Sequence, residues 1–302
     1  MHREWDNFVA SAKNSTFLHM RPYMDYHSDR FNDYSLVAMK GGKIAGLLPA
    51  CREGNTIYSH KGLTYGGWII KSAHFSQPDM LEIWDRMADL LHCDGISSLV
   101  YKPVPHIYHT YPAEEDLYAI FRNGGQIMET NISATVSRLN KVPFNENARR
   151  SIKFALGQGV TVKESTDFDS FWQILSELLH KRYATSPVHT ADEIKLLHSR
   201  FPNNIRLFTA MCGNRIIGGT VIFLTKMVAH AQYIAASPEA KEKKALPALF
   251  DYLINGVFAD VPYFDFGISN EQHGRYLNEG LITQKYGMGG RGIVYNTYLI
   301  TF

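Results

Sequence analysis

Three residues near the end of the chain have the chemistry for proton transfer: Asp265, Lys285 and Tyr286. Asp265 interrupts an apolar run, Tyr263 to Gly267, that reads as a strand buried on both faces. A carboxylate in such a strand must be paired or functional, because burying a lone charge is costly. It either serves or orients a general base, or it is a structural group bonded to the backbone of the next loop. Ser269, Asn270 and His273 follow at the C-terminal end of that strand, where α/β proteins tend to place ligands. Lys285 and Tyr286, in TQKYGMGGRG, suit polarisation of a carbonyl and protonation of a leaving group. The bland reading of the same residues is a helix end, with a last-turn lysine and Gly287 in the left-handed conformation.

Two further places suit anions. In SPEAKEKKALPALF, Lys241, Lys243 and Lys244 precede Ala245, the expected start of a helix with Pro247 in its first turn. Free N–H groups and lysines there form a site for the phosphates of a nucleotide, coenzyme A or tRNA, or else a solvated capping loop. In SHKGLTYGGW, the groups His60, Lys61, Thr64 and Tyr65 are interleaved with glycines that let a ligand approach the backbone. That stretch reads as a substrate loop or as a surface turn. Arg149 and Arg150, on an amphipathic helix with Lys153, are either a phosphate clamp or a solvated face. The 13 histidines show no metal-ligand spacing, so no metal is expected. No nucleophile elbow, P-loop or dinucleotide fingerprint is present.

The elements that must position these residues occur twice. SLVAMKGGKIAGLLPAC and RLFTAMCGNRIIGGTVIF each pair two β-rich runs across a tight turn, Gly41-Gly42 or Gly213-Asn214. A constant offset of 172 residues relates Met39 to Met211 and Gly46 to Gly218. Downstream of each hairpin comes a strand, a loop, a helix, a strand and another helix; in the second half the loop is the charged Ser237–Lys244 and the last helix lies near Arg275–Lys285. Helical segments open each half, at Trp5–Ala12 and Pro22–Asp29, then at Asn147–Gln158 and Phe168–Tyr183. The order α-α-β-β-β-α-β-α-β predicts a mixed sheet with helices on both faces. The expected division is residues 1–130 and 131–302, within a short strand near Gly125–Ser133.

The chain has 302 residues, 45% of them hydrophobic and 20% charged, enough for two packed cores. A formal charge of +2 is too balanced to demand a nucleic-acid partner, and DNA is not expected. Three scattered cysteines fit a reducing compartment rather than a disulfide framework. With no apolar run of spanning length and no secretory signal, the expectation is a cytoplasmic protein. Oligomeric state is not legible.

On these residues the second half resembles the FemAB-type peptidoglycan-bridge aminoacyltransferases and their relatives in the GNAT superfamily of acyltransferases. The stretches that carry the resemblance are NARRSIKFALGQGVTV, CGNRIIGGTVIF, AHAQYIAASPEAKEKKALPALFDYLI, YFDFGIS and ITQKYGMGG. The first half is similar more loosely, through its hairpin and SHKGLTYGG. The resemblance implies two tandem GNAT-like domains of mixed α/β type that transfer an acyl or aminoacyl group to an amine. The amine belongs to a small molecule, a sugar or a cell-envelope precursor. Acyl-CoA is the expected co-substrate, with no tightly bound cofactor. The family's glycine-rich pyrophosphate loop and its coiled-coil arm are both absent here. The second absence turns the reading away from whole tRNA. The alternatives are tRNA-dependent aminoacyl transfer to a peptidoglycan precursor and a non-catalytic ligand-binding module. In the implied mechanism Asp265 helps deprotonate the amine, Lys285 stabilises the oxyanion and Tyr286 protonates the leaving group.

Overall fold

The computed structural model describes residues 2–71 and 74–302, and the chain divides into two units. The first takes in residues up to Asn131 together with Gln272–Arg275 and Val294–Phe302. The second takes in Ile132–Glu271 and Tyr276–Ile293.

In the first unit, helices α1 (His2–Ser11) and α2 (Arg21–Met24) precede strands β1 (Leu36–Lys40) and β2 (Lys43–Leu48). The turn between these strands holds both Gly41 and Gly42 at positive φ, as a tight hairpin requires. β3 (Cys51–Glu53), β4 (Thr56–Tyr58) and β5 (Ile69–Ile70) follow, then α3 (Gln77–Cys93), β6 (Ser98–Tyr101), α4 (Glu115–Arg122) and β7 (Gln126–Ser137). Ser76 and Asp79 form a reciprocal capping box that starts α3. Met80, Trp84, Met87 and Leu91 then fall on one buried face. They pack on Ile57 and Leu99 of β4 and β6, which run parallel across the α3 crossover. The expected single sheet of this half is in fact two. The hairpin pairs with β5 in the order β1-β2-β5, whereas β3, β4, β6 and the last strand of the chain form a separate row. β3 and β5, too short for a periodic signal, are what divides it.

The second unit contains α5 (Glu146–Gly157), β8 (Val160–Ser165), α6 (Phe168–Tyr183), α7 (Ala191–Arg200), β9 (Ile205–Cys212), β10 (Arg215–Leu224) and β11 (Val228–Ala236). Next come α8 (Pro238–Glu242), α9 (Ala245–Tyr252), β12 (Tyr263–Ile268), β13 (Asn270–Glu271), β14 (Tyr276–Leu277), α10 (Glu279–Gly287) and β15 (Arg291–Thr301). The sheet order is β7-β12-β11-β10-β9-β8. β11 and β12 are the parallel pair, joined through α8 and α9, and the rest are antiparallel. Phe250, Phe264 and Phe266 centre the core between this sheet and α9. β7 and β15 each contribute residues to both units.

Three local expectations are corrected. The charged loop at 237–244 is largely the short helix α8, because the Ser237 hydroxyl accepts from the Ala240 N–H and starts a turn. The last helix begins at Glu279, not near Arg275. Gln272, His273 and Gly274 take positive φ and close the β13–β14 hairpin, and Asn278 caps the helix. The left-handed residue after that helix is Gly289, not Gly287.

Candidate functional site

The parallel pairing of β11 and β12 lasts three residue pairs and ends at His230 opposite Asp265. Beyond it β11 continues to Ala236, while β12 shifts register against β7 between Asp265 and Ile268, with Gly267 at φ +77°. The two strands therefore part beyond His230.

At the point of parting lies a buried polar group of four side chains. Asp265 is 0% exposed and accepts three hydrogen bonds: from Ser133 Oγ at 2.5 Å, Thr135 Oγ1 at 2.8 Å and His230 Nδ1 at 2.8 Å. Burial pushes its carboxyl up. The bonds and charge from His230, Ser133 and Thr135 outweigh this and hold it below the usual carboxylate range. An ionised carboxylate can only accept, so the Nδ1 of His230 carries the hydrogen. In the neutral ring this leaves the lone pair on Nε2. His230 is 8% exposed, and its Cε1–Nε2 edge runs along Gly267, whose missing side chain leaves that edge uncovered. Asp265 is thus closed to a substrate and orients His230, which is the group able to take a proton.

Lys285, 4% exposed on α10, sends Nζ to the carbonyls of Gly267 and Ile268, both at 2.8 Å, and to Ser269 Oγ at 3.0 Å. All three ammonium hydrogens are taken, so none remains for an oxyanion. Burial lowers its pKa to about 8, against the attraction of Asp265. Ser269 is buried and also donates its N–H to Ile132 O, and the Asn270 carboxamide accepts from the Ile132 N–H. Tyr286 is 36% exposed. Its ring lies under the Arg291 guanidinium, and its hydroxyl lies beside Gly292, not among the Asp265 group.

Six residues along β11 from His230, roughly 20 Å at ~3.3 Å per residue, Ala236 lines a cavity of about 510 Å³. Lys241 and Lys244 border it, with Asn147 and Ser151 of α5 and Thr283 and Gln284 of α10. Lys244 holds φ +53° at the entry to α9 and sets its ammonium over the Phe154 ring. Lys243 does not line the cavity, and Ala245 is fully buried. Arg149 faces a different recess, with Lys141 and Asp251, and Arg150 pairs with Glu146 on the solvent side of α5. Neither forms part of the Lys241–Lys244 cavity.

The remaining expected residues lie in the first unit. His60 is buried at φ +66°, stacked on His27, and burial lowers its pKa to about 4. Lys61 pairs with Glu53 and lies over the Tyr58 ring. Thr64 is exposed, whereas Tyr65 is buried and donates to Thr16. His273 is exposed with Nδ1 3.6 Å from Glu129. The loop is anchored from below: the Tyr101 hydroxyl accepts from the Trp68 N–H and donates to Asp116. Burial raises the Asp116 carboxyl to about 7.

Residues 144–275 match the family model described as Acetyltransferase (GNAT) domain. That match lies in the second unit except for Gln272–Arg275. No curated protein sequence matches the chain. Among solved structures, FemX has the same fold at TM-score 0.69 and 11% identity, over 100% of this chain and 96% of its own. L-PGS from Bacillus licheniformis follows at 0.66 and 12%, over 99% and 91%. The C-terminal domain of a protein assigned as a lysylphosphatidylglycerol synthetase from Agrobacterium fabrum gives 0.65 and 12%, over 99% and 90%. At such identities the likeness establishes the fold. The GNAT resemblance and the mixed α/β class expected from the sequence are borne out, and the parting strands, the cavity and His230 all lie in the GNAT domain or its immediate flank. His230, Ser133 and Thr135 escaped sequence reasoning; the one signal was a histidine inside the apolar run VAHAQYIAA.

Proposed function

We propose that the protein transfers an acyl group to a primary amine at the point where β11 and β12 part, with His230 as general base. The His230–Asp265 pair carries this reading. A fixed tautomer puts a basic nitrogen at the place where β11 and β12 part, and backbone N–H groups there can serve an oxyanion. The amine nitrogen gives its proton to His230 Nε2 and bonds to the acyl carbon. The carbon–sulfur bond of the donor thioester then breaks, and the thiolate takes the proton back from the imidazolium. Lys241 and Lys244 hold the anionic end of the donor in the cavity, and β11 spans the distance to His230. An acyl-CoA fits this description.

A second reading is an aminoacyl ester donor. It is favoured by the fold shared over nearly whole chains with FemX and with a protein whose name denotes lysyl transfer to phosphatidylglycerol.

Calorimetric titration with acetyl-CoA, a long-chain acyl-CoA and bulk tRNA at two salt concentrations separates the two. Saturable binding of an acyl-CoA, weakened tenfold or more by Lys244→Glu, with thiol release to amines lost in His230→Gln, supports the thioester reading. Binding of tRNA alone, falling steeply with salt, moves the donor to the second. Absence of all binding sinks both.

A further inference from the structure

The two carboxylate oxygens of Asp265 have different partners. Oδ1 accepts from the hydroxyls of both Ser133 and Thr135, whereas Oδ2 accepts from Nδ1 of His230. Thr135 stands directly opposite Asp265 in the antiparallel ladder, and Ser133 lies two residues along β7 on the same face. Ser133 is 0% exposed and Thr135 4%, so both hydroxyls serve the carboxylate from inside the protein. Lys285, on α10, adds its attraction to theirs. A fully buried carboxylate that loses donors takes up a proton more readily, because burial disfavours its charged form. The consequence reaches the ring. On uptake of one proton by the pair, the hydrogen on Nδ1 passes to Oδ2, Nδ1 becomes the acceptor, and the proton from solvent sits on Nε2. In that tautomer Nε2 has no lone pair with which to take a proton from an amine.

We infer that Ser133 and Thr135 are positioning residues for the acyl transfer: by occupying Oδ1 of Asp265 they reserve Oδ2 for Nδ1 of His230, and so select the tautomer whose Nε2 is basic. Neither hydroxyl meets a reacting atom. Each acts through two contacts, hydroxyl to carboxylate and carboxylate to imidazole, and the role rests on the reading of His230 as the base. The direction of the pH effect follows. Donors on Oδ1 favour the ionised carboxylate, so removing one raises the pH at which the pair takes up a proton. The low-pH limb of the rate profile moves up with it, by about one to two pH units for each hydroxyl lost from a charged partner.

The test uses the full chain with Thr135→Val, which keeps the shape and removes the hydroxyl, with Ser133→Ala, and with Thr135→Ser, which keeps a hydroxyl. Folding is checked by circular dichroism and thermal melting. Nitrogen NMR of the His230 ring reads which nitrogen carries the hydrogen, and amine acylation is followed with acetyl-CoA from pH 5 to pH 10. Expected in the unaltered protein is a hydrogen on Nδ1 at neutral pH. In Thr135→Val and Ser133→Ala it shifts toward Nε2, and kcat at pH 7 falls about tenfold and recovers at higher pH, with KM within about threefold. Thr135→Ser restores the profile. Folded Thr135→Val and Ser133→Ala with the hydrogen still on Nδ1 and an unmoved low-pH limb overturn the inference, and if only one of them folds, that one decides. A hydrogen on Nε2 in the unaltered protein at neutral pH overturns it outright. If the unaltered protein acylates no amine, the reading of function fails, while the nitrogen spectra still decide whether the two hydroxyls select the tautomer.

Discussion

Asp265 and His230 lie 35 positions apart in the chain and meet because two strands run parallel in one register. An apolar run interrupted by a carboxylate told that Asp265 would be partnered, and it is, three times over. Which side chain would partner it depended on the pairing of two strands separated by a crossover helix, and a sequence carries no local signal for such register. The expected roles shifted accordingly, from Asp265 to the histidine it orients and from an oxyanion lysine to one bonded to the backbone of Gly267 and Ile268. The buried lysine also makes a prediction for stability. Its pKa falls from 10.5 unfolded to about 8 folded. Below about 8 both states carry the charge and the folded state bears the full cost of burying it. Above 10.5 neither carries it and the cost is gone. Stability from this group therefore rises with pH between those values, by about 3 kcal/mol. Chemical denaturation at pH 7.5, 9 and 10.5 should show the unaltered chain gaining on Lys285→Met by that order. A constant difference across the range would show that the lysine is not shifted.

At the scale of elements, α3 shows which forces decide. The Ser76–Asp79 box satisfies the first N–H groups of the helix, yet it sits at the surface. Trp84 is buried between α3 and the first unit's sheet, its ring tilted on Tyr101 at 5.6 Å. Ser76→Ala should cost ~1 kcal/mol and Trp84→Ala ~3–5 kcal/mol in urea denaturation, since cavity formation outweighs a lost cap. A reversal of that order would mean the cap, not the packed face, holds the helix. The long amphipathic helices and both hairpins were legible for the same reason: their period and turn residues are local. The short α8, the β13–β14 hairpin and the two-residue β5 were not, because they depend on single capping bonds and on neighbours distant in the chain.

For the whole molecule, the repeated order of elements was visible, and the structure reproduces it as two crossovers, β4–α3–β6 and β11–α8–α9–β12, each joining parallel strands. What the repeat could not disclose is that the first unit is discontinuous in sequence. Val294–Phe302 belongs to it, and β15 pairs with β6 from Tyr298 to Thr301. A fragment ending at Asn131 should accordingly show no cooperative thermal melt. A sharp melt would mean β6 tolerates the loss of its neighbour. The same feature governs birth on the ribosome. At ~5–20 residues per second, the strand that completes the first unit is made on the order of 10–30 s after Asn131. For that interval β6 offers an open edge, and the half of the protein translated first is the half that must finish folding last.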